Sequence, residues 1–408
     1  MREQTDHANP IRLSSPRAGG GVFTKLMMIP GVQLIYVSAL ACTRHRNVDF
    51  IQMQRAGRLS FLLFSEVDMI TGDYITKTKD AAAEIAAERS PTGIILLTGC
   101  QSALLSTDYK LLSEEIERET GVPVRVHDGC RLCGFDEEEG GSSSVDRLLY
   151  AFIRPAAKSE ELSVNILGSA KLDETSELFS ALENAGVQKI NRLAACKSFA
   201  EYQEMGRAHL NILTSPQDTA IGEHLRETFG IPWVCLGGIY DGAELAASYK
   251  KLAEALDTPI DTSAWEDRLG EKLRSVKEKA GTCPIVVEDD AEMAKWLLRA
   301  GFSVERLALN PHQGLTREQR AWFEENAKDF KIEGSGKGGP GGGRGPGGGG
   351  PGGGGGRGRG PGGGPGRGPG GGRPQDSNAK GPGLLNIGYA GSMAVLESLE
   401  NSLGGAAR

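Results

Sequence analysis

Two cysteines stand where apolar runs end, and thiols in such positions can bind metal. Cys42 follows the run 32–41, and Cys100 follows the run 93–99. Both runs are typical of buried strands, and the carboxyl ends of parallel strands share the sheet edge at which α/β proteins bind ligands. Thiolates prefer soft metal centres such as iron–sulfur clusters. The two positions therefore predict a metal site at one sheet edge.

A structural alternative exists for these two cysteines. Free cysteine is often buried as a small apolar residue, so Cys42 and Cys100 could simply belong to the core. Arg44 and Arg46 follow Cys42 closely, and their guanidinium groups would offset the charge of an anionic cluster. The basic neighbours favour the metal hypothesis.

The remaining cysteines give weaker signals. Cys130 and Cys133 follow the apolar run 122–127 and could reach the same edge. An isolated C-x-x-C pair could supply auxiliary ligands or a redox pair, or be two ordinary loop cysteines. Seven scattered cysteines do not resemble the even framework of a small secreted protein, so reduced thiols are expected. Three lie in or beside predicted strands and are expected in the core: Cys196, Cys235 and Cys283.

Charge is unevenly distributed along the 408 residues. The formal net charge is −7, but the segment 334–382 carries +6, which leaves −13 for the rest. An acidic folded body is a poor non-specific binder of nucleic acid. The start of the chain has no apolar signal-peptide core, and the run 22–42 is interrupted by Lys25, Pro30 and Gln33. We expect a cytoplasmic protein without a membrane anchor.

Short β-rich runs alternate with longer amphipathic runs, which is typical of parallel sheets covered by helices. The prediction is an α/β protein with three Rossmann-like parallel-sheet domains. The third is truncated and interrupted by a disordered Gly/Pro/Arg-rich insert. The expected units are a first domain over 1–158, a second over 159–260, a partial third over 261–333, a linker over 334–383 and a C-terminal helix over 384–408.

The linker is almost entirely glycine, proline and arginine between residues 334 and 372. Such a composition cannot bury apolar surface, so disorder is expected. Arginine-rich segments can bind RNA through charge and stacking, but residues 334–383 contain no aromatic side chain. A flexible connection to the closing helix is the preferred interpretation.

Several motifs occur in an order that resembles a known family. Residues 208–213 (AHLNIL) precede 229–233 (FGIPW), and residues 387–392 (IGYAGS) come near the end. Residues 64–73 (FSEVDMITGD) and 98–100 (TGC) come earlier. Together they resemble the nitrogenase component 1 family, which includes the catalytic subunits of nitrogenase, dark-operative protochlorophyllide reductase and nickel-sirohydrochlorin diamide reductase. The resemblance covers most of residues 15–333 and the last two dozen residues.

The resemblance implies three parallel-sheet domains, a dimer and an ATP-hydrolysing iron-protein partner that supplies electrons. The dimer would be a homodimer or a pair with a second component 1 subunit. The chain has no G-x-x-x-x-G-K-[ST] loop, because residues 334–337 lack the spacing. Nucleotide hydrolysis is therefore expected of the partner.

The resemblance also implies roles for particular residues. Cys42 and Cys100 match two family cysteines that face the dimer interface, while the earliest family cysteine falls on Ser15. Residues 38–41 replace the family's H-G-P-x-G. Two thiols per chain would give a twofold dimer four cysteines, the number that one shared [4Fe–4S] cluster requires.

Other positions depart from the family. The cofactor-binding cysteine of true nitrogenases falls near Ser215, and serine is a poor ligand for an iron–sulfide cofactor. The glycine-rich tract replaces the late region in which the family carries its cofactor-binding histidine. His312 is the only histidine near it in the sequence and is expected in a surface turn. Glu66 and Asp68 could dock a reductase or carry protons, although exposed carboxylates usually do neither. An iron–molybdenum cofactor is therefore not expected.

Two functions remain open. The first is an oxidoreductase subunit that relays electrons through the shared cluster to an unidentified substrate. The second is a non-catalytic scaffold for metallocofactor assembly.

Overall fold

The residues that the structure describes form three parallel four-stranded sheets, as the sequence predicts. The structure, a computed structural model, describes residues 10–14, 25–39, 48–99, 105–128, 144–309, 315–327, 330–334 and 384–406. The expected linker lies almost wholly outside these residues. No helix among them is both long enough and apolar enough to cross a bilayer.

The strands are β1 Ile11–Ser14, β2 Val32–Ala39, β3 Leu59–Phe64, β4 Gly93–Thr98, β5 Val124–Asp128, β6 Ser163–Leu167, β7 Lys189–Arg192, β8 Leu210–Leu213, β9 Trp233–Cys235, β10 Ile285–Glu288, β11 Val304–Ala308 and β12 Lys331–Glu333.

The helices are α1 Val48–Arg55, α2 Glu66–Thr71, α3 Asp73–Arg89, α4 Tyr109–Thr120, α5 Ser144–Leu148, α6 Glu177–Asn184, α7 Phe199–Gln203, α8 Thr219–Phe229, α9 Gly242–Leu256, α10 Ser263–Ala280, α11 Ala291–Arg299, α12 Arg317–Asn326 and α13 Tyr389–Ala406.

The first sheet has the strand order β3-β2-β4-β5. Its central strands are continuous apolar runs, and β4 is buried at every position. Such strands need cover on both faces. One face packs in a cluster with Leu34 and Leu97, and the other packs in a separate cluster with Ile35 and Leu96.

The second sheet has the order β7-β6-β8-β9, and a buried row of asparagines fixes its register. The amide of Asn165 donates to Oδ1 of Asn211 at 2.8 Å, and Asn191 donates to Oδ1 of Asn165 at 3.0 Å. The three residues are direct partners across β6, β7 and β8. A one-residue slip would break this row. The asparagine of the AHLNIL motif is therefore structural.

The third sheet has the order β1-β10-β11-β12. Its edge strand β1 comes from the start of the chain and pairs in parallel with β10 from Ile11↔Ile285 to Ser14↔Glu288. The sequence does not predict this first strand. Four residues that alternate between buried and exposed are too short a run to distinguish from a loop.

The closing helix α13 returns to the second and third sheets. Glu177 at the start of α6 accepts hydrogen bonds from the Ala390 amide at 3.1 Å and from the Tyr249 hydroxyl at 3.1 Å. Ser392 donates to the Tyr240 carbonyl at 2.9 Å. A parallel bridge joins Leu172 and Leu385. The C-terminal segment is thus part of the same core as the two sheets.

Candidate functional site

The predicted cluster residues lie outside the described residues: Cys42, Cys100, Cys130, Cys133 and Ser15. The structure does describe the strands that precede most of them. The neighbours β2 and β4 pair up to Val37↔Thr98, and β4 pairs with β5 up to Thr98↔Asp128. The chain therefore leaves β2, β4 and β5 at one sheet edge. The positions of the thiols themselves stay a prediction.

The cysteines within the described residues are structural, as expected. Cys196 and Cys235 pack beside one apolar cluster, and Cys283 packs beside another. Burial raises the pKa of Cys196 to about 11 and that of Cys235 to about 12. These two thiols stay protonated near neutral pH and are poor metal ligands there.

Asp68 has a capping role. Its carboxylate accepts the Ser65 amide at 3.0 Å while the Ser65 hydroxyl accepts the Asp68 amide, which forms a capping box for α2. Lys77 also contacts Asp68 at 2.6 Å. The hydrogen bonds from Lys77 and Ser65 lower the pKa of Asp68 to about 2. A carboxylate held in this way is not a proton carrier. Glu66 is exposed beside it.

The described residues enclose a cavity of about 430 Å³ where the second sheet, the third sheet and α13 meet. The loops after β6 and β8 supply Gly168 and Ser215, and the residues after β10 supply Asp289 and Asp290. Lys25 and Asp146 come from the segments around the first sheet. The cavity thus lies beyond the carboxyl ends of two parallel sheets, where α/β folds bind ligands.

Close backbone packing shapes one wall of this cavity. The Thr214 hydroxyl donates to the Leu167 carbonyl at 2.8 Å, which ties the end of β8 to the end of β6. A β-carbon on Gly237 would lie 1.7 Å from the Thr214 carbonyl oxygen, so only glycine fits there. Gly168, at φ +128°, would place a β-carbon 2.3 Å from Oγ1 of Thr214. The turn after β8 is therefore held rigidly.

Ser215 occupies the place where the resemblance puts a cofactor cysteine. Its hydroxyl accepts the Gln217 amide at 3.2 Å and starts the 3₁₀ turn Pro216–Asp218, which leads directly into α8. No cysteine or histidine is among the described residues that line the cavity. A thiolate- or imidazole-held metal cluster does not fit a lining of hydroxyl, amide and carboxyl groups.

The described lining is acidic. It contains one lysine and five carboxyl groups, from Asp146, Asp218, Asp289, Asp290 and Glu292. Lys25 and Asp146 form an ion pair at 2.8 Å. The Asp290 carboxylate accepts the Tyr240 hydroxyl at 2.6 Å and the Met293 amide at 2.9 Å, and so caps α11. Glu292 pairs with Lys295 at 2.8 Å.

Asp218 differs from the other carboxyl groups. None of the side chains that the structure describes forms a hydrogen bond or an ion pair with it. Burial and, to a smaller extent, the negative charge of Asp146 raise the pKa of Asp218 to about 7, against the opposing charge of Lys25. Asp218 can therefore gain and lose a proton near neutral pH, inside a cavity of ligand size.

The sequence does not predict this cavity, although the family resemblance points to Ser215. The lining residues come from segments around positions 13, 25, 146, 168, 215, 240, 290 and 390. No local motif links them, since tertiary packing alone brings them together.

Comparisons with known proteins show the family and the fold of the chain. A family model described as nitrogenase component 1 type oxidoreductase matches residues 18–329. The nitrogenase iron–molybdenum cofactor biosynthesis protein NifE of Klebsiella pneumoniae is 23% identical over 213 residues, which are 49% of this chain and 46% of that protein. The matched region therefore spans about half the length of this curated relative.

A solved structure described as nitrogenase Cp1 at pH 6.5 has a TM-score of 0.63 and 12% identity, and the alignment covers 99% of this chain and 95% of that one. This last likeness shows the fold.

Proposed function

The chain belongs to the nitrogenase component 1 type oxidoreductase family, and we propose that it is an electron-relaying subunit of a two-component reductase. In this proposal Cys42 and Cys100 of two chains hold one [4Fe–4S] cluster, and an iron-protein ATPase supplies the electrons. The observation that carries the proposal is the pairing of β2 and β4, because the two cysteines follow neighbouring strands that end at one edge.

An exposed apolar pair supports a second chain at this edge. Val67 and Ile70 on α2 are 65% and 85% exposed, and α2 follows β3, the neighbour of β2, directly. Large apolar side chains that are this exposed at one site are typical of a surface that another protein covers. In this proposal the partner is a second copy of this chain, which contributes the other two cysteines of the cluster.

The cavity is the proposed substrate chamber. Its volume of about 430 Å³ lies within the usual range for small-molecule sites. The described lining offers oxygen and amide groups, so the chamber suits an organic molecule better than a resident metal cofactor. In this account the cluster supplies electrons from the dimer seam, and the chamber positions the molecule that accepts them.

The test is iron and acid-labile sulfide analysis of protein purified without oxygen. We expect about four irons per two chains, and a loss of most iron in Cys42→Ala and in Cys100→Ala. Cys283→Ala is the matched control, because Cys283 packs beside the core of the third sheet; it should keep its iron. Unchanged iron in both cysteine variants would refute the ligand assignment.

The second candidate function is a scaffold for metallocofactor assembly. The name of the Klebsiella relative, a cofactor biosynthesis protein, favours it. A scaffold would carry iron in addition to the shared cluster. Iron that remains in the Cys42→Ala, Cys100→Ala double variant would favour the scaffold over the reductase.

A further inference from the structure

We propose that Asp218 is the proton donor of the cavity and that the cavity accepts a neutral or cationic organic molecule. This inference rests on the proposed function, since a reductase that adds electrons to a substrate must also add protons. It names the residue that supplies them and the charge class of the substrate.

The position of Asp218 suits this role. It ends the 3₁₀ turn after β8, lines the cavity and precedes α8. The turn is held by the Thr214–Leu167 hydrogen bond, and by the Gly237 backbone, which lies too close to Thr214 for any β-carbon. The carboxyl group is therefore presented from a fixed backbone, which proton transfer over a short distance requires.

The groups around Asp218 leave it free to exchange a proton. The charged neighbours are Asp146 and Lys25, which are paired with each other at 2.8 Å. The other titratable neighbours are Tyr150 and Cys235. Burial raises the pKa of Tyr150 well above its usual value and raises that of Cys235 to about 12, so both stay neutral. Among these neighbours Asp218 is the group that changes charge near pH 7.

The chemical step is a proton transfer coupled to reduction. When bound, the proposed iron–sulfur cluster would supply the reducing electrons one at a time. As the substrate accepts an electron, the O–H bond of protonated Asp218 breaks and a new bond to hydrogen forms on the substrate. The carboxylate that remains takes a proton from water before the next electron arrives. A donor with a pKa near the working pH performs both halves of this cycle.

The charge of the lining selects the ligand. One lysine, already paired with Asp146, faces five carboxyl groups among the described residues. An anion would be repelled, whereas a neutral or cationic molecule would not. Asn386 also lines the cavity, and its Oδ1 is buried without a hydrogen-bond partner among the described residues. A ligand N–H or O–H group could donate to it.

The first test follows the Asp218 carboxyl by infrared difference spectroscopy of the full-length, anaerobically purified protein across pH 5 to 9. We expect a protonated-carboxyl band whose loss with a midpoint near pH 7 is missing from Asp218→Asn. Burial also raises the pKa of Glu177, so Asp218→Asn, Glu177→Gln is measured beside Asp218→Asn to separate the two carboxyl bands. The control Asp80→Asn changes an exposed helical carboxylate outside the cavity and should keep the transition near pH 7. A transition near pH 7 that persists in both Asp218 variants would overturn the assignment.

The second test measures the fluorescence of two probes of similar size, cationic proflavine and anionic anilinonaphthalene sulfonate. Proflavine should bind about fivefold more tightly at pH 8 than at pH 6, an increase that Asp218→Asn removes. Ala394→Trp should abolish the binding. Tighter binding of the anion, or proflavine binding that Ala394→Trp leaves unchanged, would overturn the ligand class. Neither test depends on iron content, so a failure of the cluster proposal is seen separately.

Discussion

The free energy of unfolding should depend on pH because of Asp218. Burial raises its pKa from 3.8 to about 7, so the folded chain binds this proton more tightly than the unfolded chain. The stabilisation is complete below about pH 4 and is lost as the pH rises to about 7.

We therefore expect Asp218→Asn to gain stability relative to the natural protein as the pH rises from 4 to 8. The gain should be about 2 to 4 kcal/mol, because asparagine carries no charge to bury. Urea unfolding at pH 4, 6 and 8 measures it. Asp80→Asn should show no such trend, and a parallel pH dependence of the natural protein and Asp218→Asn would show that Asp218 is not buried as described.

Gly237 allows a second prediction at the residue scale. Gly237→Ala places a β-carbon 1.7 Å from the Thr214 carbonyl oxygen, so the backbone must move, at a cost of about 3 kcal/mol. Gly270→Ala is the control, since Gly270 lies inside α10 with open space around it. It should gain about 0.5 to 1 kcal/mol. Urea unfolding that gave both variants the same sign would contradict the packing around Thr214.

At this scale the sequence revealed only part of the site. It located Cys42 and Cys100 because each follows an apolar run, and it located Ser215 through the AHLNIL motif. It did not reveal Asp218, because its neighbours Lys25, Asp146 and Cys235 are far away along the chain. Asp68 looked like a candidate proton carrier, yet it is committed to Ser65 and Lys77.

At the element scale, α13 depends on the half-buried carboxylate of Glu177. Glu177 accepts the Ala390 amide at the start of the helix and the Tyr249 hydroxyl. Glu177→Ala would leave both donors without this acceptor, and we expect a loss of about 2 to 3 kcal/mol. Limited proteolysis should then remove the segment 384–406 more rapidly.

Glu183→Ala is the matched control for Glu177→Ala, because Glu183 lies on the same helix, α6, and is exposed. It should keep the protease resistance of the natural protein. Equal cleavage rates in the two variants would mean that Glu177 does not hold α13 in place.

Most elements could be predicted because each has its own pattern. The apolar runs 32–41 and 93–99 each predict a buried strand, and β2 and β4 lie there. Short elements such as β1, β12 and α2 contain too few residues to show the repeat of apolar positions that distinguishes a strand from a helix. Their formation depends on partners elsewhere, as with β1 on β10.

At the scale of the whole molecule, the account requires a second chain on the exposed pair of α2. The double variant Val67→Asp, Ile70→Asp should be a monomer. A dimer would have to bury the two new carboxylates in its interface without partners. Sedimentation velocity measures the change. The control variant Leu384→Asp changes another exposed apolar residue, on the C-terminal segment, and should stay dimeric. If the double variant is still a dimer, Val67 and Ile70 do not lie in the dimer interface.

The three-sheet architecture followed from the alternation of strands and helices, whereas the cavity between the sheets did not. An alternating pattern predicts which residues are buried, but it does not predict how the sheets pack against each other. Lys25 and Asp146 illustrate this, since they join the cavity from segments around the first sheet. The acidic lining of the cavity results from the packing of the sheets, so the sequence pattern alone does not predict it.

The most direct test of the central claim is native mass spectrometry of the anaerobically purified chain. We predict one species of two chains that carries a single [4Fe–4S] cluster between them, and its separation into iron-free chains in the Cys42→Ala, Cys100→Ala double variant. One cluster in each separate chain, or a dimer without iron, would contradict the account.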